Sequence, residues 1–90
     1  MNYIVYILRF SDNSLYVGQT NDLEKRLEEH ISRATKSSKF SKEHDWLKLV
    51  YQENYSSRLE SMRREKQLKG WTRVKKEALI KGDKELLKRL

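Results

Sequence analysis

The chain contains no cysteine and only three glycines among its 90 residues. Without cysteine it can form neither a disulfide framework nor a thiolate metal site, which is typical of a reducing compartment. A chain of this length buries only ~60–65% of its unfolded surface, so we expect one small domain with a single core. No apolar stretch approaches the ~20 residues of a membrane-spanning helix, and the N-terminus lacks a signal-peptide pattern. We therefore expect a cytoplasmic protein without a membrane partner.

Other absences exclude several enzyme classes. The sequence has neither a glycine-rich phosphate loop nor the nucleophile elbow of an acyl-transfer enzyme. Its two histidines, His30 and His44, lie on different predicted elements and lack the spacing of a zinc site. These patterns argue against nucleoside triphosphate chemistry, acyl transfer and a zinc centre.

Basic residues are concentrated in the last third of the chain. The whole sequence carries 20 Lys+Arg against 13 Asp+Glu, a net charge of +7. Residues 1–55 are balanced, with eight basic and eight acidic side chains, whereas residues 56–90 hold twelve basic and five acidic ones. Such a one-sided basic field attracts polyanions, of which nucleic acid is the commonest in a cytoplasm. A solvated helical face explains the same pattern, and charge alone does not separate the two interpretations.

The apolar pattern predicts three strands. Residues 3–10 are β-branched and aromatic with almost no polar break, which is typical of a central strand covered on both faces. The β pattern resumes over residues 15–20 after a turn, so these two strands form a hairpin. Residues 46–53 alternate apolar and polar side chains and predict the third strand.

Capping signals predict the helices. Asn21 caps a first helix over residues 22–32, and an exposed loop follows over residues 33–45. A second helix runs from Ser56 or Ser57 to Gly70. A third runs from Thr72 to near Gly82, and Asp83 begins a short terminal helix. The predicted fold is α+β, a three-stranded antiparallel sheet flanked by helices in the order β-β-α-β-α-α.

Helical geometry places several polar side chains close to apolar stripes. In the first helix Arg26 and His30 are i,i+4 neighbours on the flank of a stripe formed by Leu23, Leu27 and Ile31.

Around the axis of the second helix, counted from Leu59, the angular position of Glu65 falls between those of Met62 and Leu68. A carboxylate that faces an apolar side is costly unless it is paired or metal-bound. A salt bridge to Lys69 is the structural alternative.

Five positions together resemble the GIY-YIG endonuclease superfamily. They are Tyr6, Tyr16 in Tyr16-Val17-Gly18 ten residues later, Arg26 and His30 on the first helix, and Glu65 on the second. The resemblance covers about residues 1–80 and is greatest to the small stand-alone bacterial members. It implies a nuclease-like domain over residues 1–82, followed by a C-terminal helical extension over residues 83–90. One departure is that the first motif reads Ile4-Val5-Tyr6, without its glycine.

The register of the hairpin decides whether the two tyrosines can share a site. A two-residue turn would send Tyr6 and Tyr16 to opposite faces of the sheet. A three-residue loop with a left-handed Asn13 pairs Leu8 with Tyr16 and Tyr6 with Gly18, so both phenols share a face. In that register we expect Gly18 to leave room for a phosphate or a water beside the phenol. Ordinary sheet packing is the alternative role for the tyrosine pair.

The resemblance implies phosphodiester hydrolysis with one Mg²⁺ or Mn²⁺ ion. Glu65 would be the sole protein carboxylate on the metal, and Arg26 would stabilise the charge of the transition state. Either Tyr6 or Tyr16 would activate the attacking water, and the sequence does not choose between them. His30 would bind the phosphate or relay the proton.

Basic side chains in the middle loop and the last third are the predicted phosphate contacts, which give affinity without sequence preference. With Gly18, the predicted nucleic-acid-binding residues are Lys36, Lys39, Lys42, Arg63, Arg64, Lys66, Lys69, Lys75 and Lys76. Phe40 and Trp71 are candidates for stacking on unpaired bases, although a place at the edge of the core is the alternative for Trp71.

The functional expectation is therefore a metal-dependent endonuclease that acts on DNA with weak sequence specificity. Selection of branched, nicked or single-stranded structures is open, as is RNA as a substrate. We expect a monomer or a weak homo-oligomer. Two alternatives remain on the same fold: a nucleic-acid-binding module with little turnover, and a basic domain that docks on another protein.

Overall fold

A computed structural model describes residues 2–41 and 43–89 of the chain. The elements are β1 (Tyr3–Phe10), β2 (Leu15–Thr20), α1 (Leu23–Lys36), β3 (Leu47–Tyr55), α2 (Arg58–Lys69), α3 (Arg73–Lys81) and α4 (Lys84–Arg89). This order confirms the predicted α+β fold, and α4 lies within the segment where a short terminal helix was expected. None of the helices in the described ranges is long and apolar enough to cross a bilayer.

Strand β1 is the centre of an antiparallel sheet with the order β2-β1-β3. Its residues Val5, Tyr6, Ile7 and Leu8 are all fully buried, as expected for a strand covered on both faces. The register against β3 shifts between Ile7 and Leu8, which is the mark of a β-bulge.

The β1–β2 hairpin has a three-residue loop, the one of the two considered turns that lets the tyrosines share a face. Asn13 is left-handed, with a φ of 71°. The Phe10 N–H donates to the Ser14 carbonyl at 3.0 Å, and the Asn13 N–H donates to the Phe10 carbonyl at 2.8 Å. The resulting register sets Tyr6 opposite Gly18 and Leu8 opposite Tyr16. Both phenols therefore belong to one face of the sheet.

The two faces of the sheet are covered differently. Val5, Ile7 and Val17 form the main core cluster with Leu68 of α2, and partly buried side chains of α3 pack against it. Tyr6 alternates with Val5 and Ile7 and therefore projects from the other face. There it contacts His30 of α1. The candidate site residues of β1, β2 and α1 are thus separated from the main apolar core.

Three predicted boundaries are wrong by a few residues. The cap of α1 is Asp22, whose carboxylate accepts from the Lys25 N–H at 3.2 Å, rather than Asn21; Asn and Asp cap helices equally well. Helix α1 also continues to Lys36, because no helix breaker follows residue 32 and basic residues suit its last turn. Strand β3 runs from Leu47 to Tyr55 because the polar residues at its end still pair with β1.

The later helices begin at the predicted caps. Ser57, Thr72 and Asp83 each accept a backbone N–H of the first turn that follows. Gly82 ends α3 in the left-handed conformation, with a φ of 74°, which favours glycine. Gly70 ends α2 in a right-handed conformation instead.

The buried faces of α1 and α2 differ from the predicted apolar stripes. Ile31 is 49% exposed whereas His30 is buried, because His30 packs between the sheet tyrosines. On α2, Leu59 and Met62 are exposed, while Ser61 and Leu68 are fully buried. The hydroxyl of Ser61 donates to the Arg58 carbonyl at 2.7 Å, so a small, internally satisfied polar residue occupies the packed position.

Candidate active site

Tyr6 and Tyr16 lie side by side, with ring centroids 6.2 Å apart and planes inclined by 35°. Gly18 allows this arrangement. A Cβ at Gly18 would lie 2.6 Å from the Tyr6 hydroxyl and 2.9 Å from Cε1 of Tyr16. The predicted room for a phosphate or water above Gly18 is therefore wrong, because the Tyr6 ring occupies it. Gly18 is a packing position, needed for the close approach of the phenol.

His30 joins the two tyrosines. Its Nε2 lies 2.9 Å from the Tyr6 hydroxyl in a buried hydrogen bond, and its ring meets Tyr16 edge to face at a centroid distance of 4.8 Å. Burial, reinforced by the positive charges of Arg26 and Arg33, lowers the pKa of His30. His30 is consequently a neutral imidazole at neutral pH, able to accept a proton.

Arg26, one helical turn before His30, lies beside both phenols. Tyr6, Glu29 and Tyr16 raise the pKa of its guanidinium, so the positive charge is permanent. Its Nη1 donates to Glu29 Oε2 at 2.8 Å. For Tyr6, burial outweighs the opposing effect of Arg26 and raises the pKa of the phenol. Tyr6 therefore keeps its proton at neutral pH.

Glu65 influences Tyr6 electrostatically, and among the described residues it forms no hydrogen bond or ion pair with the two tyrosines, Arg26 or His30. Its side chain is 23% exposed, and its negative charge contributes to the raised pKa of Tyr6. The predicted structural alternative is also present, since Lys69 Nζ lies 3.8 Å from Glu65 Oε1. That ion pair is long and its lysine is half-exposed, so it contributes little and leaves the carboxylate free for another cation.

A hard divalent cation at this site would be held mainly by solvent and substrate. In residues 2–41 and 43–89, no group of three or more His, Asp or Glu side chains could hold a metal ion. Mg²⁺ does not require such a group, because it usually keeps several waters and takes one or two carboxylates together with substrate phosphates. Glu65, whose charge influences Tyr6, is the candidate carboxylate for that role.

An open cleft of about 470 Å³ adjoins Arg26. It is lined by Tyr3, Gln19, Thr20, Asn21, Asp22, Lys25, Arg26, Glu29 and Arg58. Sequence reasoning missed Lys25, Glu29 and Arg58. The cleft forms where the beginnings of α1 and α2 meet the end of β2, and the only local signal was that Lys25 and Glu29 are close to Arg26 in sequence.

Two of the predicted phosphate contacts, Arg64 and Lys75, instead contact other side chains of the protein. Arg64 donates from Nε and Nη2 to the Glu53 carboxylate at 2.9 and 3.0 Å, and its guanidinium lies 5.0 Å from the Trp71 ring centre. The Lys75 ammonium lies 4.2 Å from the same ring. Trp71 packs against the core cluster, which confirms its place at the edge of the core. A direct phosphate contact by Arg64 would require this arrangement to open.

The other predicted cations are distributed over separate elements. The exposed ones are Lys36 at the end of α1, Lys39 in the loop that follows, and Arg63, Lys66 and Lys69 on α2. Lys76 of α3 is half-buried. Lys42 lies outside the described residues.

The chain matches a known family and known proteins over most of its length. Residues 2–78 match the family described as the GIY-YIG catalytic domain. The UPF0213 protein of Bacillus pumilus is 40% identical over 79 residues, which cover 88% of this chain and 79% of that protein. The UPF0213 protein of Staphylococcus haemolyticus is 43% identical over 76 residues, covering 84% and 90%.

A solved structure supports the same relationship. The solution NMR structure of a UPF0213 protein from Bacillus halodurans is 37% identical and superposes with a TM-score of 0.58, covering 90% of this chain and 84% of that one. The family match over residues 2–78 includes the two tyrosines, Arg26, His30 and Glu65. The chain therefore belongs to the GIY-YIG family.

Proposed function

We propose that this protein is a metal-dependent endonuclease that hydrolyses phosphodiester bonds of DNA with weak sequence specificity. The observation that carries the proposal is the buried hydrogen bond between Tyr6 and His30 beside the Arg26 guanidinium. This arrangement combines a proton acceptor with a fixed positive charge, the two requirements of phosphoryl transfer to water.

Tyr6, whose hydroxyl is hydrogen-bonded to the proton acceptor His30, is the general base of this proposal; because its side chain is fully buried, the packing around its hydroxyl would have to open to admit the attacking water. Because burial raises the pKa of Tyr6, a free phenolate is scarce at neutral pH. His30 removes this difficulty, because Tyr6 can pass its own proton to the neutral Nε2 while its oxygen takes a proton from the attacking water. The water oxygen then forms a bond to phosphorus as the bond to the leaving sugar oxygen breaks. The products of the proton transfers are a neutral phenol and an imidazolium.

Arg26 stabilises the negative charge that develops on the phosphate oxygens. A planar guanidinium that is always charged suits this task better than an ammonium. Its ion pair with Glu29 keeps the guanidinium oriented beside the phenols. Tyr16, edge-on to His30, packs the imidazole in position for its bond to Tyr6.

Glu65 would hold the Mg²⁺ or Mn²⁺ ion. When bound, such an ion polarises the phosphate and stabilises the leaving oxygen. The exposed cations Lys36, Lys39, Arg63, Lys66 and Lys69 would supply contacts to the phosphate backbone. Such contacts give affinity that falls with salt and carries no sequence information, which is why we propose weak sequence specificity.

A nicking assay tests the proposal. Supercoiled plasmid and branched oligonucleotides are incubated with the purified protein in Mg²⁺ or in EDTA. We expect nicking in Mg²⁺ alone, lowered at least ~100-fold by Arg26→Ala and abolished by Glu65→Ala. The matched controls Glu60→Ala, at an exposed position of α2, and Arg89→Ala, at an exposed position of α4, should keep the wild-type rate.

Two results would overturn the proposal. Nicking that persists in EDTA, or that both active-site variants retain, would indicate a contaminating nuclease. DNA binding without wild-type cleavage of any of these substrates would instead support the alternative of a binding module.

A further inference from the structure

A second cleft, of about 340 Å³, lies at the hairpin end of the sheet and is lined by three aromatic side chains. These are Phe10 at the end of β1, Phe40 in the loop after α1, and Trp46 just before β3. We call this cavity the aromatic cleft. Trp46 is 43% exposed. An exposed tryptophan in a cleft with two further aromatic rings is a surface suited to a flat apolar ligand.

Hydrogen bonds fix the walls of the aromatic cleft. The Ser11 N–H donates to the Trp46 carbonyl at 2.8 Å, and the Ser11 hydroxyl donates to Asp45 at 3.0 Å. The other oxygen of Asp45 accepts from the Ser41 N–H at 2.6 Å. The loop is therefore tied to the hairpin, so a ligand would enter a cleft that is already formed, without the cost of ordering it.

The aromatic cleft continues the face of the sheet that carries the candidate active site. Phe10 follows Tyr6 by four residues in β1, so both side chains project from the same face. The separation along the strand is about 13 Å, at ~3.3 Å per residue. One strand of a duplex rises ~3.4 Å per nucleotide, so the aromatic cleft lies a few nucleotides from the reacting phosphate.

The charges around the aromatic cleft favour an uncharged ring inside it and phosphates at its edge. Asp12 and Asp45 line the cleft; Asp12 accepts from the N–H and hydroxyl of Ser14, and Asp45 is held as described above. These carboxylates would repel a phosphate. Lys39 also lines the cleft, and the Lys48 ammonium lies 4.9 Å from the Trp46 ring centre, so two cations can take the flanking phosphates.

We propose that the aromatic cleft binds an unpaired nucleobase a few nucleotides from the scissile bond. Aromatic side chains stack on unpaired bases of any sequence, whereas a base inside an intact duplex cannot enter the cleft. The preferred substrates are therefore nucleic acids with a short single-stranded stretch beside the cleavage site. This inference rests on the proposed function for its placement, although base binding itself requires neither metal nor turnover.

Tryptophan fluorescence tests base binding directly. The chain has only two tryptophans, so Trp71→Phe leaves Trp46 as the sole reporter. We expect a six-nucleotide oligothymidylate, added in EDTA, to quench Trp46 in a saturable manner. An abasic oligomer of the same length should quench about tenfold more weakly. Phe40→Ala should weaken binding of the thymidylate about tenfold, and the matched control Leu59→Ala, at an exposed apolar residue of α2, should leave it unchanged.

A second measurement does not depend on the folding of the Trp71 variant. A flap oligonucleotide with 2-aminopurine in its single strand should lose fluorescence on binding to the wild-type protein, because stacking quenches the base. Trp46→Ala should abolish this change. Equal affinity for the abasic and thymidylate oligomers, or an unchanged 2-aminopurine response in Trp46→Ala, would overturn the proposal. Quenching by apolar peptides but by no oligonucleotide would also overturn it, in favour of a protein partner.

Cleavage separates this proposal from the proposed function. Phe40→Ala and Trp46→Ala should reduce the preference for a flap over a blunt duplex about tenfold while nicking of plasmid DNA continues. If the wild type binds bases but cleaves no substrate, the nuclease proposal fails and base binding stands. If it cleaves flap and duplex equally with no change in Trp46 fluorescence, the nuclease proposal stands and the aromatic cleft has no such role.

Discussion

The Tyr6 hydroxyl lies 2.9 Å from Nε2 of His30, and the environment pushes the pKa values of the two groups apart. Burial raises the pKa of the phenol and lowers the pKa of the imidazole. Both groups are consequently neutral at neutral pH. A neutral imidazole that faces a protonated phenol can take the phenol's proton while the phenol oxygen accepts a proton from the attacking water, so the pair acts as one base.

Replacement of His30 tests whether the pair acts as one base. His30→Gln keeps a polar side chain but removes the proton acceptor, so we expect the single-turnover cleavage rate to fall by ~10²–10⁴-fold with little change in DNA affinity. The wild-type rate should be flat above pH ~6.5, the ordinary pKa of histidine, and should decrease at lower pH as His30 becomes protonated. A full rate in His30→Gln would assign the base to Tyr16 or to another group.

The lowered pKa of His30 also predicts how stability depends on pH. The unfolded chain binds a proton at His30 below pH 6.5, the unperturbed value, whereas the folded chain binds it only at lower pH. The unfolded state therefore holds more protons in this window, and the free energy of unfolding decreases as the pH falls below 6.5. Urea denaturation at pH 7.5 and 5.5 measures the difference.

Two variants serve as controls for the pH dependence. His30→Gln should remove most of the decrease, and replacement of the exposed His44 by Gln should leave it intact. An identical decrease in all three proteins would show that the effect arises elsewhere in the chain.

Gly18 offers a prediction about packing. A methyl group at this position would lie 2.6 Å from the Tyr6 hydroxyl and 2.7 Å from its Cζ, so Gly18→Ala should destabilise the fold by ~1–3 kcal/mol and displace the phenol. Gly70→Ala is the matched control, because its nearest neighbour would be a carbonyl oxygen at 3.5 Å and its backbone is right-handed. Urea midpoints compare the two, and equal midpoints would contradict the steric explanation.

The sequence predicts the sheet better than the helix faces, for a physical reason. Side chains in a strand alternate strictly, so the strands are predicted well, and once the loop has three residues the register of Tyr6 against Gly18 follows. Helix faces are chosen by packing. Polar His30 and Ser61 are buried because their hydrogen bonds are satisfied inside the protein. A prediction from hydrophobicity alone wrongly places Ile31 and Leu59 on the buried faces, although both are exposed.

Residues distant in sequence form the parts of the site that the pattern did not reveal. The cleft beside Arg26 combines the start of α1 with Arg58 of α2, and no local spacing relates these segments. Arg64 shows the converse, because a basic residue in a basic segment looks like a phosphate contact until its Glu53 partner from β3 is known.

Arg63 and Arg64 are adjacent in sequence and should behave differently on substitution. The Glu53 carboxylate accepts hydrogen bonds from Arg64, Tyr51 and Tyr55, and burial together with Glu53 raises the pKa of Tyr55 to about 12. Arg64→Ala leaves this carboxylate without its cation, so we expect a loss of ~2–4 kcal/mol in the free energy of unfolding. Arg63 is exposed, and Arg63→Ala should change stability by less than ~0.5 kcal/mol while it weakens DNA binding.

Lys25 and Arg58 line the cleft beside Arg26 together with Asp22 and Glu29, and both cations are exposed. If both contact phosphates, their removal weakens DNA binding and lowers its dependence on salt. Each phosphate contact adds ~0.9 to the slope of log affinity against log salt for duplex DNA, so the variant with Lys25→Ala and Arg58→Ala should have a slope shallower by ~1.8. Fluorescence anisotropy from 50 to 200 mM salt measures it. A double variant with Lys81→Ala and Lys84→Ala, on α3 and α4, is the matched control for lost charge, and an equal decrease there would attribute the effect to net charge rather than to this cleft.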